Sequence, residues 1–127
     1  MVGVGSRRTS RRPRRADVHL VQFPKIAGHV LTGPHPAVVV SSDRLNAKSG
    51  TVLVCPLTSK IRHDESAYLP PYLVSVTASA SGFRRDGYVK VNQVFTRPVT
   101  TLGPRLGRIN PETMLRVDHA LRFTLGL

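Results

Sequence analysis

Thr51-Val52-Leu53-Val54-Cys55-Pro56-Leu57-Thr58 is an apolar run of eight residues, too short and too β-branched for a helix. It reads as a strand, and Pro56 predicts an edge or a bulge near its end. The turn Lys48-Ser49-Gly50 precedes it. Before that turn, Ala37-Val38-Val39-Val40-Ser41 is a second buried strand, and the polar stretch 43–50 links the two. Further upstream, Asp17-Val18-His19-Leu20-Val21-Gln22-Phe23 reads as a strand. Val18, Leu20 and Gln22 are expected on one face; His19, Val21 and Phe23 on the other. The segment 24–35, with Pro24, Gly28, Gly33 and Pro34, is a loop of a length that is often functional. Downstream, 59–71 is a second long loop, with His63-Asp64-Glu65 read as solvated. Tyr72-Leu73-Val74-Ser75-Val76 and Tyr88 to Phe95 follow as strands, and Leu106-Gly107-Arg108-Ile109 as one more. One convincing helix closes the chain. Asn110 is its N-cap, Pro111 its first residue, and Met114, Val117, Leu121 and Leu125 recur at helical spacing before Gly126. Short strands with a terminal helix predict a mainly β domain: a strongly bent sheet or small barrel.

The 127 residues suit one domain. Nineteen Lys and Arg against seven Asp and Glu give a net charge of +12. Six arginines lie within residues 7–15, so residues 1–14 are expected to form an unstructured Arg-rich tail and residues 15–127 the domain. Residues 16–127 keep a charge of about +6, enough to concentrate polyanions at the surface. Cys55, the lone cysteine, cannot form an internal disulfide, which agrees with a reducing cytoplasm. No apolar run has membrane-spanning length, and no apolar signal core follows the basic start, so a cytoplasmic protein is expected. The five histidines are scattered and the carboxylates do not cluster, so no metal or other cofactor is expected.

Several segments, in order, resemble the MazF/PemK/Kid toxins. Arg15-Ala16-Asp17-Val18 is similar to the family's opening Arg-Gly-Asp-Ile. His35-Pro36-Ala37-Val38-Val39-Val40-Ser41 resembles Arg-Pro-Ala-Val-Val-x-Ser, and Pro56-Leu57-Thr58-Ser59 resembles Pro-x-Thr-Ser. Ser81-Gly82-Phe83-Arg84-Arg85-Asp86-Gly87, Gln93, Arg105-Leu106-Gly107-Arg108-Ile109 and the terminal helix complete the set. The resemblance implies an SH3-like small barrel with a C-terminal helix, acting as a homodimer. It also implies metal-independent cutting of single-stranded RNA. The RNA 2′-hydroxyl attacks its own phosphate and leaves a 2′,3′-cyclic phosphate and a 5′-hydroxyl. An antitoxin with an acidic, disordered segment is the implied inhibitor.

Thr58 occupies the family's Thr position, where a hydroxyl can donate to a phosphoryl oxygen as charge builds. His35 stands where the family has Arg. Imidazole cannot grip phosphate at two points, but it can transfer protons near neutral pH. Lys25 and His29 in the same loop could supply the missing charge. Ser59, Lys60, Arg62 and Gln93 are the remaining candidates for contacts with RNA. The His35 departure keeps a second reading open, a homologue that binds RNA or antitoxin without cutting. A gyrase-poisoning toxin of the related CcdB type is a third, against which the Pro-x-Thr-Ser segment argues.

Overall fold

The computed structural model describes residues 12–25, 28, 30–82 and 85–127. Most of the expected tail, and the site candidate His29, lie outside the described residues. Seven strands are present: β1 (Asp17–Phe23), β2 (Gly33–Val39), β3 (Thr51–Thr58), β4 (Leu73–Val76), β5 (Gly87–Lys90), β6 (Phe95–Pro98) and β7 (Arg105–Arg108). They form one antiparallel sheet in the order β4-β5-β3-β2-β1-β7, with β6 also on β3. β4 and β7, at the two ends of this path, are not paired with each other among the described residues, so the small barrel is an open one.

The central strands are buried on both faces, which is why β2 and β3 read as unbroken apolar runs rather than alternating ones. Val38, Cys55 and Leu57 face one core, with Val74, Val89 and Ile109. Ala37, Val39, Val52 and Val54 face a second, with Val21 and Phe23. The first core is covered by α4 (Pro111–Leu125), through Met114, Val117 and Ala120. Its ends are as the sequence predicts: Asn110 Oδ1 accepts from the Thr113 amide at 2.9 Å, and Gly126 caps with φ of 72°. Leu121 is partly buried against the core, whereas Leu125 at the end of the helix is exposed.

Pro56 lies inside the paired region, not at a free edge. The Val40 amide donates to Leu53 O at 2.9 Å, so residues 53, 55 and 57 point their backbone groups toward β2. Pro56 therefore faces the other edge of β3. There β6 has ended opposite Val54 and β5 begins opposite Leu57, so the missing N–H costs no ladder bond.

Three other expectations are corrected. Polar residues 43–48 form a helix, α1 (Asp43–Lys48), capped by Ser42 Oγ, which accepts from the Leu45 amide at 3.1 Å. The second loop contains α2 (His63–Ala67), and Glu65 within it is buried rather than solvated. A further short helix, α3 (Ala78–Ser81), joins β4 to β5. The expected strand 88–95 is two strands, because the chain turns at Val91-Asn92. The alternation expected in β1 holds: Val18 faces the first core, and Val21 and Phe23 face the second. On Val18's face Leu20 and Gln22 are exposed, and an irregularity in the β1–β7 register falls between Val18 and His19.

Contacts reach back past the expected boundary. Arg12 donates to Ser49 O at 3.1 Å, and Ala16 joins β1 to its neighbours in a left-handed conformation, φ 80°. The Ala16 amide donates to Val39 O and its carbonyl accepts from Ile109 N, each at 2.9 Å, which holds the residue there. Gly suits this conformation without steric cost.

Candidate active site

The groove that gathers the sequence candidates opens where β2 and β3 part. Val40 donates toward β3, so Val38, Pro36 and Pro34 face the same way, and the two prolines have no N–H to give. Pairing of β2 with β1 runs on to Gly33, but pairing with β3 stops at Ala37–Pro56. Beyond that point a groove of about 550 Å³ forms, with Pro36, Leu57, Val76 and Leu106 as apolar walls. His35, Thr58, Ser59 and Lys60 line it, joined by Arg85 and Asp86 from the β4–β5 connection. Continuing the β2–β3 register by two residues sets His35 across the opening from Thr58.

Each polar group has a defined setting. His35 Nε2 donates to Thr32 O at 3.0 Å, since a carbonyl can only accept. In the neutral ring Nδ1 is then the lone-pair acceptor. The ring also rests 6.3 Å from that of Phe23, tilted by 57°. Thr58 pairs with Tyr88 of β5 and ends β3. Its hydroxyl accepts from the Lys60 amide at 3.1 Å and donates to Lys60 O at 3.0 Å, so the side chain organises the turn that presents Lys60. Gly87 is required beside it: a Cβ there would lie 2.9 Å from Thr58 O. Asp86 Oδ1 accepts from the Ala78 amide at 2.8 Å and ties the connection 77–86 to the start of α3.

The other candidates lie elsewhere. Arg62 is not in the groove wall; its guanidinium bonds Asp64 at 3.1 and 3.3 Å and approaches Glu65 at 3.4 Å. Gln93 is buried and accepts from the Leu31 amide at 3.0 Å, so it supports the β1–β2 loop. Lys25 is exposed and does not line the groove. Arg85 is a groove residue that the sequence reading does not single out. Gly82 and Gly87 on either side of it are the available signal of a tight connection at a strand end. Cys55 takes no part: burial pushes its thiol up to about 12, so it is no nucleophile at neutral pH.

This ordered set of groove residues falls within a family match. Residues 14–125 match the PemK-like, MazF-like toxins of type II toxin–antitoxin systems. The chain belongs to that family. Among its relatives, Endoribonuclease EndoA of Bacillus subtilis (strain 168) is 30% identical over 114 residues, covering 90% of this chain and 95% of the relative. Endoribonuclease MazF9 of Mycobacterium tuberculosis is 29% identical over 119 residues, covering 90% and 97%. A solved mycobacterial endoribonuclease in complex with its cognate antitoxin superposes with a TM-score of 0.73 at 27% identity, covering 91% of this chain and 96% of that one. The family membership accounts for the mainly β fold with its terminal helix, and for the expected resemblance of the opening, Pro-Ala-Val and Pro-x-Thr-Ser segments.

Proposed function

We propose that this chain is the toxin of a type II toxin–antitoxin pair and cuts single-stranded RNA in the groove between His35 and Thr58. The observation that carries the reading is the convergence of His35, Thr58 and Lys60 in one groove of a family member whose relatives are named endoribonucleases. The RNA 2′-oxygen attacks the adjacent phosphorus, and the bond from phosphorus to the 5′-oxygen breaks. One proton leaves the 2′-hydroxyl and one reaches the 5′-oxygen, so a single imidazole can take the first and return it. His35 Nδ1 is the available lone pair. Lys60 and Arg85 neutralise the phosphoryl oxygens as charge accumulates, and the Thr58 hydroxyl joins them once it releases Lys60 O. Ser59, at the same turn, contacts the sugar or a base edge. Arg62, Gln93 and Lys25 act at most on flanking nucleotides.

The walls of the groove are apolar while its rim is cationic, which suits an unpaired base beside a phosphate. The same cationic rim attracts an acidic antitoxin segment, as a partner that blocks RNA by occupation. Such a toxin works as a homodimer in the cytoplasm. The deciding experiment is incubation of purified protein with a long RNA in EDTA, followed by mapping of the ends. Cyclic phosphate and 5′-hydroxyl termini at a short recurring sequence are expected. Binding without cutting would instead support the degenerate reading that His35, in the family's Arg position, keeps open. Loss of supercoiling activity of gyrase without RNA cleavage would support a CcdB-type toxin.

A further inference from the structure

Outside the groove lining, Glu65 is a buried carboxylate surrounded by donors from three segments. Oε1 accepts from the Arg62 amide at 3.1 Å and lies 3.3 Å from Lys90 Nζ. Oε2 accepts from the Tyr72 hydroxyl at 2.7 Å and lies 3.4 Å from the Arg62 guanidinium. Glu65 is 1% exposed and Lys90 4%. Burying such a pair brings little net stability, because desolvation offsets the attraction. A short helix could have been sealed onto the sheet by apolar side chains at no such cost, so the arrangement calls for a positional reason.

The neighbouring geometry supplies one. Only Ser59, Lys60 and Ile61 separate Thr58 from Arg62. Thr58 is fixed at one end by its pairing with Tyr88 and the close approach of Gly87. Arg62 is fixed at the other end by Glu65, which Lys90 anchors to β5 and Tyr72 to the start of β4. A three-residue span between two fixed ends has few conformations. The one adopted puts the Lys60 amide and carbonyl on the Thr58 hydroxyl.

We infer that Glu65 is a positioning residue: with Lys90 as buried counter-ion, it holds Arg62 so that the 59–61 turn presents Lys60 and the Thr58 hydroxyl to the scissile phosphate. The inference rests on the ribonuclease reading for its consequence, but not for its structural content. Misplacing a reacting group by about an ångström is enough to lower a rate by about a hundredfold.

The test replaces both buried charges together. Glu65→Leu with Lys90→Met removes the acceptor for Arg62 without stranding a charge, so the domain is expected to stay folded, with a cooperative thermal transition. Exchange of the Lys60 amide, followed by NMR, should speed up at least about tenfold, and kcat should fall at least about tenfold, while the Kd for RNA changes less than about threefold. Glu65→Gln with Lys90→Met restores an acceptor and should recover most of both. A folded Leu/Met variant with wild-type Lys60 exchange, or with faster exchange and unchanged kcat, overturns the inference. Should that variant not fold, Tyr72→Phe removes one donor and leaves the charges paired; unchanged Lys60 exchange there overturns it too. If the wild type cuts no RNA in EDTA, the ribonuclease reading fails, and the exchange measurement still decides whether Glu65 holds the turn.

Discussion

At the Asp17 end of the sheet, Arg105 and Arg108 reach one carboxylate oxygen at 3.2 and 2.8 Å, and the Arg14 amide binds the other at 2.9 Å. Nearby, Arg14 pairs with Asp43 and Arg15 with Asp118. At the groove, Lys60 and Arg85 have no carboxylate within ion-pair distance among the described residues, although Asp86 is next in sequence to Arg85. The two regions are similarly rich in cations and differ in how those cations are balanced. Net charge therefore says little about where a polyanion binds. Around Asp17 the charges hold β1 to β7 and to α4; in the groove they are left for a ligand.

The largest effects are expected in the groove. Thr58→Ala and His35→Ala should each lower cleavage by about 10²–10⁴-fold while RNA binding and the thermal transition stay near wild type, since in the proposed mechanism both groups act in the transition state. A pH–rate profile sharpens the point. The rate of wild type should depend on pH through proton transfer at His35, and His35→Arg should flatten that dependence. Equal pH-flat rates for wild type, His35→Ala and His35→Arg would remove position 35 from the chemistry.

Around Asp17 the expected effect is on stability. Asp17→Asn strands two guanidinium groups and should cost about 2–3 kcal/mol in urea unfolding, with the activity of the folded fraction intact. The acid limb provides a related measurement. Burial opposes ionisation of Asp17, but the Arg14 amide, Arg105 and Arg108 outweigh it and hold its carboxyl below the usual range. Glu65 behaves likewise: burial is outweighed by Tyr72, the Arg62 amide and Lys90. A carboxyl with a folded pKa below its unfolded one contributes stability that is fully present above the unfolded value. Stability should thus fall as pH drops below about 4, and Asp17→Asn should make that fall shallower.

Smaller effects follow from the free cations. Lys60→Ala and Arg85→Ala should each weaken RNA binding and reduce the salt slope by about 0.7 for every phosphate no longer neutralised. Arg108→Ala should leave the slope unchanged and cost about 1 kcal/mol of stability instead. The smallest change is expected for glycine at position 16. Glycine relieves about 1–2 kcal/mol of left-handed strain but removes a buried methyl and chain stiffness, so Ala16→Gly should fall within about 1 kcal/mol of wild type. Ala16→Val, which adds β-branching to the same strain, should destabilise by more than about 2 kcal/mol.

The strands are legible in the sequence wherever both faces are buried, because an apolar run such as 51–58 needs no partner to announce itself. The terminal helix is legible because Asn110, Pro111 and Gly126 act within the chain's own backbone. Where pairing partners change, the sequence is silent. Residues 88–95 do not show that the chain leaves β3 and returns to it as β6, since Val89, Val91, Val94 and Phe95 keep strand-forming residues on both sides of Asn92. Glu65 reads as solvated because its charge is visible and its three partners, up to 25 residues away, are not. For the groove, Thr58 and His35 are marked in the sequence by their flanking prolines, whereas Arg85 becomes a site residue only through the β4–β5 connection.

Short-range patterns in the sequence thus carry the family, most of the strands, the terminal helix and the groove residues His35, Thr58 and Ser59. These depend on backbone propensity, capping and burial, which act over a few residues. Tertiary structure alone decided which cations are free. Pairing is a matter of distance between segments far apart in the chain, so Arg62 and Arg108 are bound by carboxylates while Lys60 and Arg85 remain open to a phosphate. The composition, which counts all four alike, could not tell them apart.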